Sequence, residues 1–68
     1  MGKITLRAAR VNAGYLQKEA SKLLDVSNKT LSSWENGTTV PKVDMIDKIC
    51  NLYGVCYDNL IFLPRNPL

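Results

Sequence analysis

The 68-residue chain has no histidine and only two cysteines, Cys50 and Cys56. A tetrahedral zinc site wants four nitrogen or sulfur ligands, which this chain cannot supply. Two cysteines are also too few for a secreted disulfide scaffold. No metal and no cofactor is therefore expected. With no histidine, no clustered carboxylates, no glycine-rich phosphate loop and no room for a pocket, an enzyme is not expected, nor is a small-molecule ligand. No apolar run approaches the roughly 18 residues of a membrane span. Met1 to Arg10 lacks the apolar stretch of a targeting signal. The expected compartment is the cytoplasm, where free thiols persist. There is no repeat, no low-complexity segment and no linker, so residues 1–68 read as one domain. A chain this short buries only about 60% of the surface its unfolded form exposes. A compact apolar core must hold it, with self-association as the remaining supplement.

The charge that is present is unevenly placed. Nine Lys and Arg against six Asp and Glu leave a net +3 and a pI near 9.1. Residues 1–42 hold seven cations (Lys3, Arg7, Arg10, Lys18, Lys22, Lys29, Lys42) against Glu19, Asp25 and Glu35, a balance of +4. Residues 43–68 hold Lys48 and Arg65 against Asp44, Asp47 and Asp58, a balance of −1. Such asymmetry points to an anionic partner for the amino-terminal part.

Gly14, Gly37, Pro41, Gly54 and Pro64 cut the chain into short, helix-sized pieces. Leu6, Ala9 and Ala13 keep helical spacing behind Thr5, a good cap. Ala20, Leu23 and Leu24 make an i, i+3, i+4 stripe over residues 17–24. Asp25-Val26-Ser27 then leaves almost no loop. A third helix opens at Ser27 and runs to about Glu35, before Asn36-Gly37. Its apolar residues, Leu31 and Trp34, are three apart and belong to the core. The opposite side carries Asn28, Lys29, Ser32 and Ser33, a polar stripe with no carboxylate in it. Pro41 opens a fourth helix in which Val43, Ile46, Ile49, Cys50 and Tyr53 keep the period, closed by Gly54. A fifth helix is expected from Tyr57 to Leu63, stopped by Pro64. No strand alternation is found, so the expected class is all-α with five short helices. Cys50 on its apolar stripe and Cys56 beside a turn read as structural or incidental thiols.

Two helices joined by a tight turn, the second polar on its outer side, form a helix-turn-helix arrangement. An α-helix fits the major groove of DNA, and short polar side chains without carboxylates reach base edges without repelling phosphate. The stretch from Gln17 to Gly37 resembles the helix-turn-helix of the lambda repressor and Cro (XRE) family. Gln17 opens it, the small Ser21 stands four positions on, Val26-Ser27 lies at the turn, and Trp34-Glu35-Asn36-Gly37 closes it. The likeness continues through Pro41 and Leu52-Tyr53-Gly54-Val55 and covers roughly residues 5–63. Three departures stand out. Leu16, where the family has Ser or Thr, cannot cap and could cost about 1 kcal/mol. Asp25 replaces the usual turn glycine, which it tolerates better than most residues. Cys56 replaces the usual cap of the last helix.

The resemblance implies a five-helix lambda-repressor-like fold and a role for each group of residues. Asn28, Lys29, Ser32 and Ser33 would read base edges; Lys29 could donate to guanine O6 and N7, and Asn28 could pair with adenine. Gln17, at a helix start, would bind a DNA phosphate, as would Asn36, Thr38, Thr39 and Lys42 in the following loop. Lys18 and Lys22 would supply general attraction. Arg10 and Glu35 would form a partly buried ion pair orienting the helices. Val55, Tyr57, Ile61 and Phe62, within an apolar carboxy-terminal stretch, would line a homodimer seam, because a palindromic operator needs two-fold symmetry. The implied function is a sequence-specific transcriptional regulator, a phage Cro-like repressor acting on double-stranded DNA in a bacterial or phage-infected cell. Alternatives are a protein-interaction module, which the polar stripe disfavours, and an antitoxin-type or restriction-controller regulator of the same fold. Residues 64–68 read as a tail.

Overall fold

The computed structural model describes residues 3–62. In chain order it contains β1 (Ile4–Thr5), α1 (Leu6–Asn12), α2 (Gln17–Leu24), α3 (Asn28–Glu35), α4 (Val43–Tyr53), one 3-10 turn (Tyr57–Asn59) and β2 (Leu60–Ile61). The described residues thus hold four α-helices, not five, and they do contain strand. β1 and β2 pair in parallel, with Ile4 opposite Leu60 and Thr5 opposite Ile61. The error lies in the run after Tyr57. A short run of apolar residues carries no period of its own, so helix and strand read alike. In the fold the chain alternates: Leu60 turns into the core at 7% exposure and Ile61 turns out at 37%. The backbone groups of this segment find partners in β1 instead of in a helical turn. Leu63 and the tail 64–68, also part of the sequence reading, lie outside the described residues.

Capping sets the first three helix starts. Thr5 Oγ1 accepts the Ala8 amide at 3.1 Å at the head of α1, and Ser27 Oγ accepts the Thr30 amide at 3.0 Å at the head of α3. Leu16 offers no such oxygen, but Glu19 reaches back and its Oε1 accepts the Leu16 amide at 2.8 Å. Half of a capping box is therefore present and offsets part of the missing cap. The turn between α2 and α3 is made at Asp25, which adopts φ 61°, ψ 42°. With the chain in that left-handed state, the amides of Asp25 and Val26 fold back onto the carbonyls of Lys22 and Ser21. Asp is among the few non-glycine residues that hold this conformation at modest cost, so three residues suffice to turn the chain.

One core draws on all four helices and β2. Leu6 and Ala9 from α1, Ala20 and Leu24 from α2, Leu31 and Trp34 from α3, Ile49 and Tyr53 from α4 and Leu60 from β2 form a single buried cluster. The small Ala20, fully buried, and Ser21, 5% exposed, let α2 lie close to α3. Both cysteines are free thiols. Cys50 is half-buried and Cys56 exposed. Burial pushes the Cys50 thiol up, with the charges of Asp47 and Cys56 adding to it, so its reactive thiolate form is disfavoured.

Candidate nucleic-acid interface

α3 presents its polar side as the sequence stripe anticipates. Asn28 and Lys29 are exposed in its first turn, and Ser32 and Ser33 are half-buried one turn on. No carboxylate interrupts them, because Glu35 turns inward. Its place there is fixed by a buried network. Arg10 Nε donates to Glu35 Oε2 at 2.7 Å, with both side chains nearly inaccessible. The same guanidinium donates through Nη2 to Glu35 Oε1 at 3.3 Å and through Nη1 to the Tyr15 carbonyl at 2.9 Å. A two-pronged contact of this kind holds both partners in one geometry, and a third guanidinium donor is used on backbone.

Gln17 joins that network: its Nε2 donates to Glu35 Oε1 at 3.1 Å. One carboxylate thereby connects α1, the start of α2 and the end of α3. The amide of Gln17 keeps its second Nε2 hydrogen, and the first amides of α2 itself have no side-chain acceptor among the described residues, since Glu19 reaches only the Leu16 amide ahead of them. Helix amides left open in this way favour an anion in front of them. Tyr53 lies behind the network. Burial, then the Glu35 carboxylate, pushes its hydroxyl up to about 12, against a lowering by Arg10. Its Oη has no hydrogen-bond partner among the described residues.

Gln17, Ser32 and Asn36 line a shallow cleft of about 600 Å³ whose floor is Arg10 and Glu35. Two further residues line it, Thr5 and Arg7. Neither was singled out as a site residue from the sequence, where Arg7 counted only as charge. The signal was its spacing three residues from Arg10, which sets the two on neighbouring parts of α1.

The loop after α3 is closed by its own hydrogen bonds. Asn36 Oδ1 accepts the Thr38 amide at 3.0 Å and the Thr38 hydroxyl at 2.6 Å. The Ser33 carbonyl accepts the amides of Thr38 and Thr39 at 2.9 and 3.3 Å. Gly37 makes the bend possible at φ 84°, a conformation an L side chain rarely takes. Thr38 and Thr39 are exposed, as is Asn36. Lys42 is set apart from the cleft: it precedes α4 and lines a smaller hollow with Trp34, Val40 and Pro41.

The residues read as a dimer seam divide. Tyr57 and Ile61 are exposed, whereas Val55 and Phe62 pack partly against the core. Tyr57 and Phe62 are neighbours, their ring centroids 6.3 Å apart. Among the described residues no group of three or more potential metal ligands occurs, and no helix is long and apolar enough to cross a membrane.

The helix-turn-helix family model matches residues 6–57. The chain is 43% identical over 56 residues to the HTH-type transcriptional regulator ImmR of Bacillus subtilis, covering 82% of this chain and 44% of that protein. It is 29% identical over 56 residues to the antitoxin PezA of Streptococcus pneumoniae, covering 82% of this chain and 35% of that protein. The chain thus spans less than half the length of the curated relatives it matches.

Proposed function

The chain belongs to the helix-turn-helix family, and from that premise we propose that it is a sequence-specific DNA-binding regulator of transcription that acts as a repressor. α3 enters the major groove, with Asn28, Lys29, Ser32 and Ser33 toward the base edges. Gln17, the open amides at the head of α2, Asn36, Thr38, Thr39 and Lys42 hold the flanking phosphates. Two copies, joined through Val55, Tyr57, Ile61 and Phe62, read half-sites about 34 Å apart in a palindromic operator. The working compartment is the bacterial cytoplasm. The observation that carries this reading is the buried Arg10–Glu35–Gln17 network. It removes the last acidic group from the outer side of α3 and fixes that helix against the start of α2.

Selection from a random duplex pool tests it. Enrichment of a near-palindrome supports the reading, and no enrichment at any salt concentration overturns it. Lys29→Ala is expected to relax the preference at one base position, a loss of about 1–3 kcal/mol in discrimination. The likeness to PezA supports a second reading, an antitoxin-type regulator of the same fold. Co-purification of a second protein encoded beside this one, with DNA binding retained, separates the two.

A further inference from the structure

We propose that Arg7 is a DNA-phosphate anchor on α1, outside the helix-turn-helix itself, which grips the same backbone segment as Gln17, with which it lines one cleft. This inference rests on the DNA-binding reading above. Arg7 is exposed and lines the cleft together with Gln17, Ser32 and Asn36. The charges beneath it are already balanced. The Arg10 guanidinium is occupied by Glu35 and the Tyr15 carbonyl, and the Glu35 oxygens accept from Arg10 and Gln17. Glu35 is the sole carboxylate lining the cleft, so the cleft keeps the single uncompensated charge of Arg7 among uncharged polar groups. No ion pair other than Arg10–Glu35 occurs among the described residues.

That arrangement suits one phosphodiester. A guanidinium offers a planar fork of donors matched to two phosphate oxygens. Gln17 offers its second amide hydrogen and the open head of α2. Arg10, three residues further on, is committed to structure; Arg7 has the charge to spare. A contact made to the backbone carries no base information, so it adds equally to operator and to unrelated duplex.

The test compares Arg7→Gln with Lys48→Gln, which removes the same charge from the exposed surface of α4, outside the cleft. Binding to the selected operator and to an unrelated duplex is followed by fluorescence anisotropy across a salt series. Arg7→Gln is expected to weaken both by the same factor, roughly three- to tenfold. It should flatten the slope of log K against log salt by about 0.9, the loss of one phosphate contact. Lys48→Gln should leave both readouts close to the unaltered protein, and Arg7→Lys should keep the slope while losing part of the affinity. In duplexes with one neutral methylphosphonate linkage, one position should weaken the unaltered protein more than it weakens Arg7→Gln, which still meets that linkage through Gln17 and the head of α2. Equal thermal midpoints for the two proteins exclude a folding effect. If the unaltered protein binds and Arg7→Gln behaves as Lys48→Gln does, this assignment is overturned while the regulator reading stands. If the unaltered protein binds no duplex at any salt, both are overturned.

Discussion

The front of the molecule, α1 to α3, and its rear, α4 to β2, share one apolar core but differ in the polar contacts added to it. At the front each helix start is met by a side chain: Thr5, the returning Glu19 and Ser27. The three buried polar or charged residues among those described, Arg10, Ser21 and Glu35, are there as well. At the rear neither Lys42 ahead of α4 nor Cys56 ahead of the 3-10 turn supplies a side-chain cap, and the one side-chain contact at the head of α4 is the Asp44 carboxylate accepting the adjacent Met45 amide at 3.0 Å. The rear relies on burial of Ile49, Tyr53 and Leu60 and on the left-handed Gly54 that ends α4. The difference follows from direction. Apolar burial stabilises whatever orientation excludes water, whereas hydrogen bonds and ion pairs act only within narrow limits of distance and angle. The side expected to meet a fixed lattice of phosphates is the one whose geometry is specified by polar contacts.

Cutting the front network should give the largest effect. Glu35→Ala leaves the Arg10 guanidinium buried without its carboxylate, and about 3–5 kcal/mol of stability should be lost in urea unfolding. A loss under 1 kcal/mol would erase the proposed contrast between the two regions. At the rear, Leu60→Ala removes apolar packing and should cost about 2–3 kcal/mol. Hydrogen exchange at the Ile4–Thr5 pairing should accelerate with it, because Leu60 anchors the strand opposite. Operator affinity of the remaining folded protein should barely change.

Tyr53, a rear residue whose hydroxyl reaches toward the front network, sharpens the boundary. An unsatisfied buried hydroxyl costs roughly 1–3 kcal/mol, so Tyr53→Phe should raise stability at neutral pH by about 1 kcal/mol. The phenol of the unfolded chain loses its proton near about pH 10, while in the fold that step is pushed up to about 12. Between these values the folded state holds more protons than the unfolded one. The stabilisation is therefore whole below about pH 10 and declines as pH rises toward 12. Chemical denaturation across that window should show a declining limb in the parent protein that Tyr53→Phe lessens. The smallest effect on stability belongs to Tyr57→Ser. At 59% exposure the side chain contributes little to the fold, and the change should stay within about 0.5 kcal/mol. Sedimentation should nevertheless shift toward monomer, the expected result for a seam residue. A dimer unaffected by it would remove Tyr57 from the seam.

The four helices were legible because each carries its own local signals. Ser27 and Thr5 mark starts, Asn36-Gly37 and Gly54 mark ends, and Ala20 with Leu24, or Ile46 with Ile49, keeps the period. The outer stripe of α3 followed from the same count, since Leu31 and Trp34 fix which side is buried. The strand pair was not legible. Its two halves are 56 positions apart along the chain, and neither Ile4–Thr5 nor Leu60–Ile61 is long enough to show alternation. Arg7 escaped notice for a related reason. An arginine on a short helix looks like ordinary solvated charge until the residues that share its cleft are known.

Sequence alone determined the helices, the tight turn at Asp25 and the polar character of α3, all products of interactions within a few residues. Tertiary structure decided what joined distant segments: the ladder between Thr5 and Ile61, the sharing of one Glu35 carboxylate by Arg10 and Gln17, and the cleft that Arg7 and Gln17 line together. The physical reason is reach. Backbone propensity and capping act over one helical turn, whereas a buried charge must find its partner wherever the packed chain brings it.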